Sequence, residues 1–314
     1  MLSLPAYLLL GLTLADFSDP RLIGLLFVGM GVGVVAALLG IGGGLLMVPI
    51  LNFWGATPLQ AIATSLVGIV LSSTSGTFQN WRMGQLRLER IAILAPPAML
   101  TTELGVWISN QLPSQLLLVS FAALQIVSIY LIGLKRKLKQ TTTKEIRTGG
   151  ELPRPSTSPQ TTVMLNKGRT KLPPTAVKHS VKITDQEIFQ TQGIGLIAGV
   201  LSGLFGVGGG VVMVPLQMLF LGENIKAAVR TSLGAIAFIS VWAVGRHTFS
   251  GNVLWAAGIC LGIGGLLGAQ FGARLLPKLP ETLVTLLFRM LLLSLAAYMV
   301  VTAFWEPIQQ SLGV

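Results

Sequence analysis

Charge is what this chain of 314 residues has least of: Asp, Glu, Lys and Arg make up 11% of it, where a soluble domain carries about 25%. With 52% hydrophobic residues and a mean hydropathy of +0.74, no fold of this size has interior enough to hide its apolar surface from water. A soluble enzyme is all but excluded, and so is a disordered chain. The single cysteine, Cys260, lies inside an apolar run, which rules out an intramolecular disulfide and a cysteine-rich metal site. The two histidines stand far apart and offer no ligand set for a catalytic metal. No Gly-Lys-Ser/Thr occurs, so there is no phosphate-binding loop of the Walker type and no ATP-driven transport by this chain alone. Neither cofactor nor metal is expected.

What is present in abundance is apolar sequence. Nearly uncharged runs occupy roughly 22–54, 60–79, 88–109 and 115–134, and again roughly 193–221, 228–245, 253–274 and 281–304. An all-α integral membrane protein of about eight transmembrane segments follows. The net charge of +11 would in another setting point to nucleic acid, but residues 135–190 hold 12 of the 22 basic and 4 of the 11 acidic residues. That surplus is a topology signal, and no nucleic-acid partner is expected. The sequence divides into a lead-in (1–21), a first membrane repeat (22–134), a basic cytoplasmic linker rich in Thr and Pro (135–190), a second repeat (191–305) and a tail (306–314). The lead-in has no Lys or Arg before its apolar stretch and makes a poor cleavable signal. Thr184-Asp185-Gln186-Glu187 has capping-box spacing and predicts a helix start.

The halves are copies. Leu39-Gly40-Ile41-Gly42-Gly43-Gly44-Leu45-Leu46-Met47-Val48-Pro49 matches Phe205-Gly206-Val207-Gly208-Gly209-Gly210-Val211-Val212-Met213-Val214-Pro215 at an offset of 166, and Thr64-Ser65-Leu66 matches Thr231-Ser232-Leu233 at 167. Duplicated halves around a central site are a transporter trait. The first run of each half is too long for one straight span of about 30 Å. Its glycines, followed by the helix-breaking Pro49 or Pro215, predict a broken or re-entrant hairpin. Broken backbone at membrane depth is tolerated only where protein or a water-filled cavity surrounds it. Lys135, Arg136, Lys137 and Lys139 place the end of the first half in the cytoplasm, and Arg82, Arg87 and Arg90 on the same side. For the second half the positive-inside count favours inverted over parallel repeats.

At the paired motifs GIGGGLLMVP (40–49) and GVGGGVVMVP (206–215), each followed by a Thr-Ser-Leu helix, the sequence resembles the TauE/SafE sulfite-exporter family of membrane permeases. The likeness runs from about 22 to 304, the linker excepted. It implies secondary transport of small sulfur-containing or organic anions, such as sulfite or sulfonates, across the cell membrane.

The residues support a site independently. A half-helix that begins at depth presents unpaired N–H groups and a positive dipole end to an oxyanion. On this reading Gly42, Gly43, Gly44, Gly208, Gly209 and Gly210 form an anion cradle; the alternative is close packing of small residues between helices. Thr64, Ser65, Thr231 and Ser232 are candidate donors to substrate oxygens, or else bond their own helix's carbonyls. Arg230 is either the substrate counter-charge or an anchor at the inner face. Glu103 and His247 are candidates to carry a coupling proton, against structural or solvated roles. Expected partners are a small anion, membrane lipid and a coupling proton. The competing readings are an anion channel and an accessory or scaffold protein without transport of its own; oligomeric state is open.

Overall fold

A computed structural model describes residues 20–148 and 184–312. The first half contains α1 (Pro20–Leu39), α2 (Gly44–Phe53), α3 (Pro58–Arg82), α4 (Leu88–Gln111) and α5 (Ser114–Thr148). The second contains α6 (Asp185–Phe205), α7 (Gly210–Phe220), α8 (Ile225–Phe249), α9 (Trp255–Leu275) and α10 (Glu281–Leu312). Among the described residues there is no strand, and eight helices are long and apolar enough to cross a membrane; α2 and α7 are the short ones. The fold is that of an all-α, multi-pass membrane protein. The lead-in, apart from Pro20 and Arg21 at the start of α1, and the greater part of the linker lie outside the described residues. Where they are described, α5 runs past residue 134 to Thr148 and α10 past 305 to Leu312.

Local chemistry sets the helix starts. Thr57 opens α3 with a capping box: its hydroxyl accepts from the Gln60 N–H at 3.3 Å and the Gln60 side chain accepts from the Thr57 N–H at 3.1 Å, with Pro58 at the first helical position. Asn224 caps α8 through the Ala227 N–H at 2.8 Å. Helix α6 begins at Asp185 as the spacing predicts, but the Thr184 side chain makes no cap bond. Asp185 and Glu187 in its first turn interact favourably with the positive helix end instead.

The breaks fall at the glycines and not at the prolines. Pro49 and Pro215 lie inside α2 and α7, each the sixth residue of its helix, and both helices continue through them. A proline at this point removes one bond, to the carbonyl four residues earlier, and leaves the rest of a short helix standing. The turns come at residues 40–43 and 206–209, where Gly43 (φ 97°) and Gly209 (φ 75°) take the left-handed backbone that ends one segment and starts the next.

Helices α3 and α8 form the centre, with 72% and 61% of their apolar windows buried, against at most 56% for any other span. Around them α1 packs along α9 and α4 along α6. Glycines allow this: Gly264, Gly268 and Gly272 of α9 meet the backbone at Leu26, Met30 and Val34 of α1, and Gly195, Gly199 and Gly203 of α6 meet Leu94, Ala98 and Thr102 of α4. The contacts advance in the same direction along both members of each pair, so α1 is parallel to α9 and α4 to α6. Small residues spaced by four let membrane helices approach to backbone contact, and here Thr101 and Thr102 use the approach to donate to the Leu196 and Gly199 carbonyls at 2.8 and 3.3 Å.

Candidate functional site

The two glycine loops meet at the centre of the bundle. A side chain on Gly44 would strike the Gly206 carbonyl and Val207 Cα, and one on Gly210 would strike the Gly40 carbonyl and Ile41 Cα. The loops therefore pack backbone against backbone. Each half-helix starts there. The first bonds of α2 run from the Leu46 and Met47 N–H groups to the Gly43 carbonyl, and those of α7 from Val212 and Met213 to Gly209. This leaves the N–H groups of Gly44, Leu45, Gly210 and Val211 without intrahelical acceptors.

Hydroxyls from α3 and α8 tie the loops across the centre. Ser65 donates to the Gly206 carbonyl at 3.0 Å and to Ile62 at 2.8 Å; Ser232 donates to the Gly40 carbonyl at 2.9 Å and to Val229 at 3.1 Å. Thr64 accepts from the Leu254 N–H at 2.9 Å, and Thr231 is buried one residue from Ser232. Ser72 adds a bond of 2.8 Å to the Gly42 carbonyl. The remaining space beside Gly42, Gly44, Gly208 and Gly210 is filled by Ile69 and Ile236, both fully buried. Three of the four candidate hydroxyls thus already have backbone partners, with Ser65 and Ser232 donating both to their own helix and across the halves.

Of the charged candidates, Glu103 is engaged elsewhere, and Arg230 adjoins Val229, which packs on Gly40. Arg230 is half-buried near the start of α8, its Nε buried without a hydrogen-bond partner. Glu103 on α4 pairs with Arg246 on α8 at 2.7 Å, both side chains partly exposed. His247 belongs to α8, not to a loop; it is 0% exposed, with the backbone of Gly203 as the polar neighbour of its ring. Asn80, its counterpart in the first half, is likewise fully buried with both amide atoms unpartnered. At the opposite end of α4 and α8, Glu223 binds Arg90 at 2.6 Å and Arg87 at 3.1 Å, and Arg90 reaches Glu187 at 3.8 Å. Among the described residues no three His, Cys, Asp or Glu side chains come together as metal ligands would.

Sequence reasoning missed Ile69, Ile236, Ser72 and the Glu223 cluster. It also missed the Gly-xxx-Gly-xxx-Gly rows of α6 and α9, whose spacing was a readable signal.

The model of the sulfite exporter TauE/SafE family matches residues 25–299. The chain belongs to that family. Among its relatives is the probable membrane transporter protein YunE of Bacillus subtilis (strain 168), 26% identical over 286 residues, 88% of this chain and 96% of that protein. A probable membrane transporter protein of Methanocaldococcus jannaschii is 33% identical over 34% of this chain and 42% of its own length. One from Xylella fastidiosa is 24% identical over 86% and 91%. No solved structure gives a significant match. As a TauE/SafE member with eight apolar helices of spanning length, the protein is a multi-pass membrane transporter and not an enzyme.

Proposed function

We propose that this TauE/SafE protein is a secondary transporter of small anions, sulfite or sulfonates among them, working by alternating access of two inverted halves in the cell membrane. The observation that carries the reading is the meeting of two half-helix starts, with free N–H groups at Gly44, Leu45, Gly210 and Val211, inside one buried centre. Such ends favour an oxyanion by dipole and by hydrogen bond, and broken helices whose ends point at an anionic substrate are a transporter device. Inversion is supported by the pairs Arg90–Glu223 and Glu103–Arg246, which run α4 parallel to α8: α3, the span before α4, then crosses in the direction opposite to α8, its counterpart in the second half. With the basic linker in the cytoplasm, both chain ends then lie outside.

Gly42, Gly43, Gly44, Gly208, Gly209 and Gly210 would cradle the anion once Ile69 and Ile236 withdraw. Thr64, Ser65 and Ser232 would exchange their backbone partners for substrate oxygens, Thr231 would join them, and Arg230 would supply counter-charge toward the inner face. A proton carried by Glu103 or His247 would couple the cycle. The test is thermal denaturation of the purified protein with sulfite, thiosulfate, sulfate, sulfoacetate, taurine and simple carboxylates. A ligand at 100 times its Kd adds about 2.7 kcal/mol to the native state. Stabilisation by sulfur oxyanions or sulfonates, lost on replacing Ser65 and Ser232 by Ala, is the expected result. Stabilisation by carboxylates alone, or by nothing, removes the substrate assignment.

A further inference from the structure

A groove of about 440 Å³ opens between α3, α4 and α8 on the outer wall of the bundle. Its lining is apolar save for threonine hydroxyls, and includes Phe78, Trp81, Ile91, Ala237 and Val241. Phe78 and Trp81 are half exposed on it. Because its walls are spanning helices, the medium that fills it is lipid, but three features make it more than a bare apolar face. The Arg82 guanidinium lies 5.9 Å from the centre of the Phe78 ring, so a positive charge sits on the groove's own lining. Arg82 has no ion pair among the described residues, and Glu223 in the same corner is already held by Arg87 and Arg90 at 3.1 and 2.6 Å. Finally, Thr77, inside the groove, has a buried hydroxyl with no partner. Ser73, Thr102, Ser128 and Ser240 by contrast each donate to the carbonyl four residues earlier.

We infer that this groove is a binding site for one anionic glycerophospholipid. The phosphate would meet Arg82, with Trp81 beside it at the level where aromatic side chains mark the membrane interface. Thr77 lies five residues deeper along α3, about 7.5 Å at 1.5 Å per residue, on the acyl-chain side of the phosphate. A side-chain rotation would turn its unpartnered hydroxyl toward the ester oxygens. One acyl chain then runs between Phe78 of α3 and Ala237 and Val241 of α8. Ala237 directly follows Ile236, which is packed on the glycine loops, so the bound lipid braces α3 against α8 in the arrangement seen here. The site needs only the membrane fold and is independent of which solute is carried.

The measurement is native mass spectrometry of the whole protein, released from membranes in mild detergent and reloaded with phosphatidylglycerol or phosphatidylcholine. Retention of one phosphatidylglycerol per chain, in preference to phosphatidylcholine, is expected. Arg82→Gln should weaken it about fivefold, the loss of one surface cation's attraction to anionic lipid. Thr77→Val should weaken it as well, and Ala237→Phe, which fills the groove, should abolish it. Size-exclusion chromatography shows whether each variant is folded; should Ala237→Phe not fold, the two polar variants carry the test. Equal retention of both lipids, indifference to Arg82→Gln and Thr77→Val, or displacement of the effect by inorganic phosphate would overturn the assignment.

Discussion

On the first half's side of the centre, Ser72 donates to the Gly42 carbonyl at 2.8 Å. On the second half's side the matching position is the buried Ile239, which offers the Gly208 carbonyl no hydroxyl. The surrounding parts are paired: Ser65 and Ser232 bond the opposite loops, and Ile69 and Ile236 flank the glycines of both. A duplicated scaffold can thus keep its packing equal while fastening one of two equivalent loops more firmly. On the alternating-access mechanism proposed above, such a difference would bias which face is favoured at rest. The most severe way to probe the comparison is to remove what the halves share. Gly44→Leu and Gly210→Leu each drive a side chain into the opposite loop's backbone. Both should abolish solute flux in proteoliposomes and lower thermal stability by more than the roughly 1–3 kcal/mol typical of overpacking, since backbone rather than side chain must move. Loss in one variant and tolerance in the other would show that the loops are not equivalent even in packing.

Charge provides the next contrast. At one end of α4 and α8 the Glu223 carboxylate is buried, with its side chain 4% exposed, and held by Arg90, 12% exposed. At the other end Glu103 and Arg246 pair with side chains 40% and 47% exposed. Removing one member of a buried pair strands the other's charge and costs about 3–5 kcal/mol. Arg90→Ala should therefore lower the thermal midpoint strongly, and Arg90→Ala combined with Glu223→Gln should recover part of the loss. A small effect of the single substitution would mean that Arg87 or water replaces Arg90.

The sequence made part of this readable and concealed part, for physical reasons. Eight spans are legible because apolar runs of sufficient length have few other uses, and the broken openings because four glycines in five positions cannot hold a helix. Pro49 and Pro215 misled because their cost depends on the length of helix around them, which the glycines had already cut short. The capping-box pattern at Thr184 predicted the start of α6, but a spacing does not orient a hydroxyl, and the Thr184 side chain makes no cap bond. The partners of Ser65 and Ser232 lie 141 and 192 residues away, so their candidacy as donors was legible while their acceptors were not. A solvated role for His247 was the alternative because it comes just before the loop glycine Gly251, yet α8 continues to Phe249 and the ring is sealed.

A smaller effect tests the asymmetry itself. Ser72→Ala deprives the Gly42 carbonyl of its buried donor and should cost about 1–3 kcal/mol, read as a lower thermal midpoint. Ile239→Ser gives the Gly208 carbonyl the donor that it lacks, but surrenders apolar burial, so its net effect on stability should be slight or negative. Combining the two exchanges the fastening between halves. If the single hydroxyl sets the preferred face, the exchange should change the ratio of accessibilities of cysteines placed on the two sides of the centre. An unchanged ratio would assign the bias elsewhere and leave Ser72 a purely structural role.

The smallest effect is expected at Glu103. Its pairing with Arg246 is partly exposed, and pairs of that kind contribute about 0.2–1 kcal/mol, so Glu103→Gln should scarcely alter thermal stability. That makes the substitution informative about function, because folding will not obscure the result. A carboxylate that carries the coupling proton cannot be replaced by an amide without loss of proton-driven flux, whereas one that only partners Arg246 can. Flux measured with and without an imposed pH gradient separates the two. Loss of the gradient's effect with exchange flux retained assigns the proton to Glu103. Full retention of both moves the candidacy to His247, which is buried and matched across the halves by an asparagine that cannot titrate.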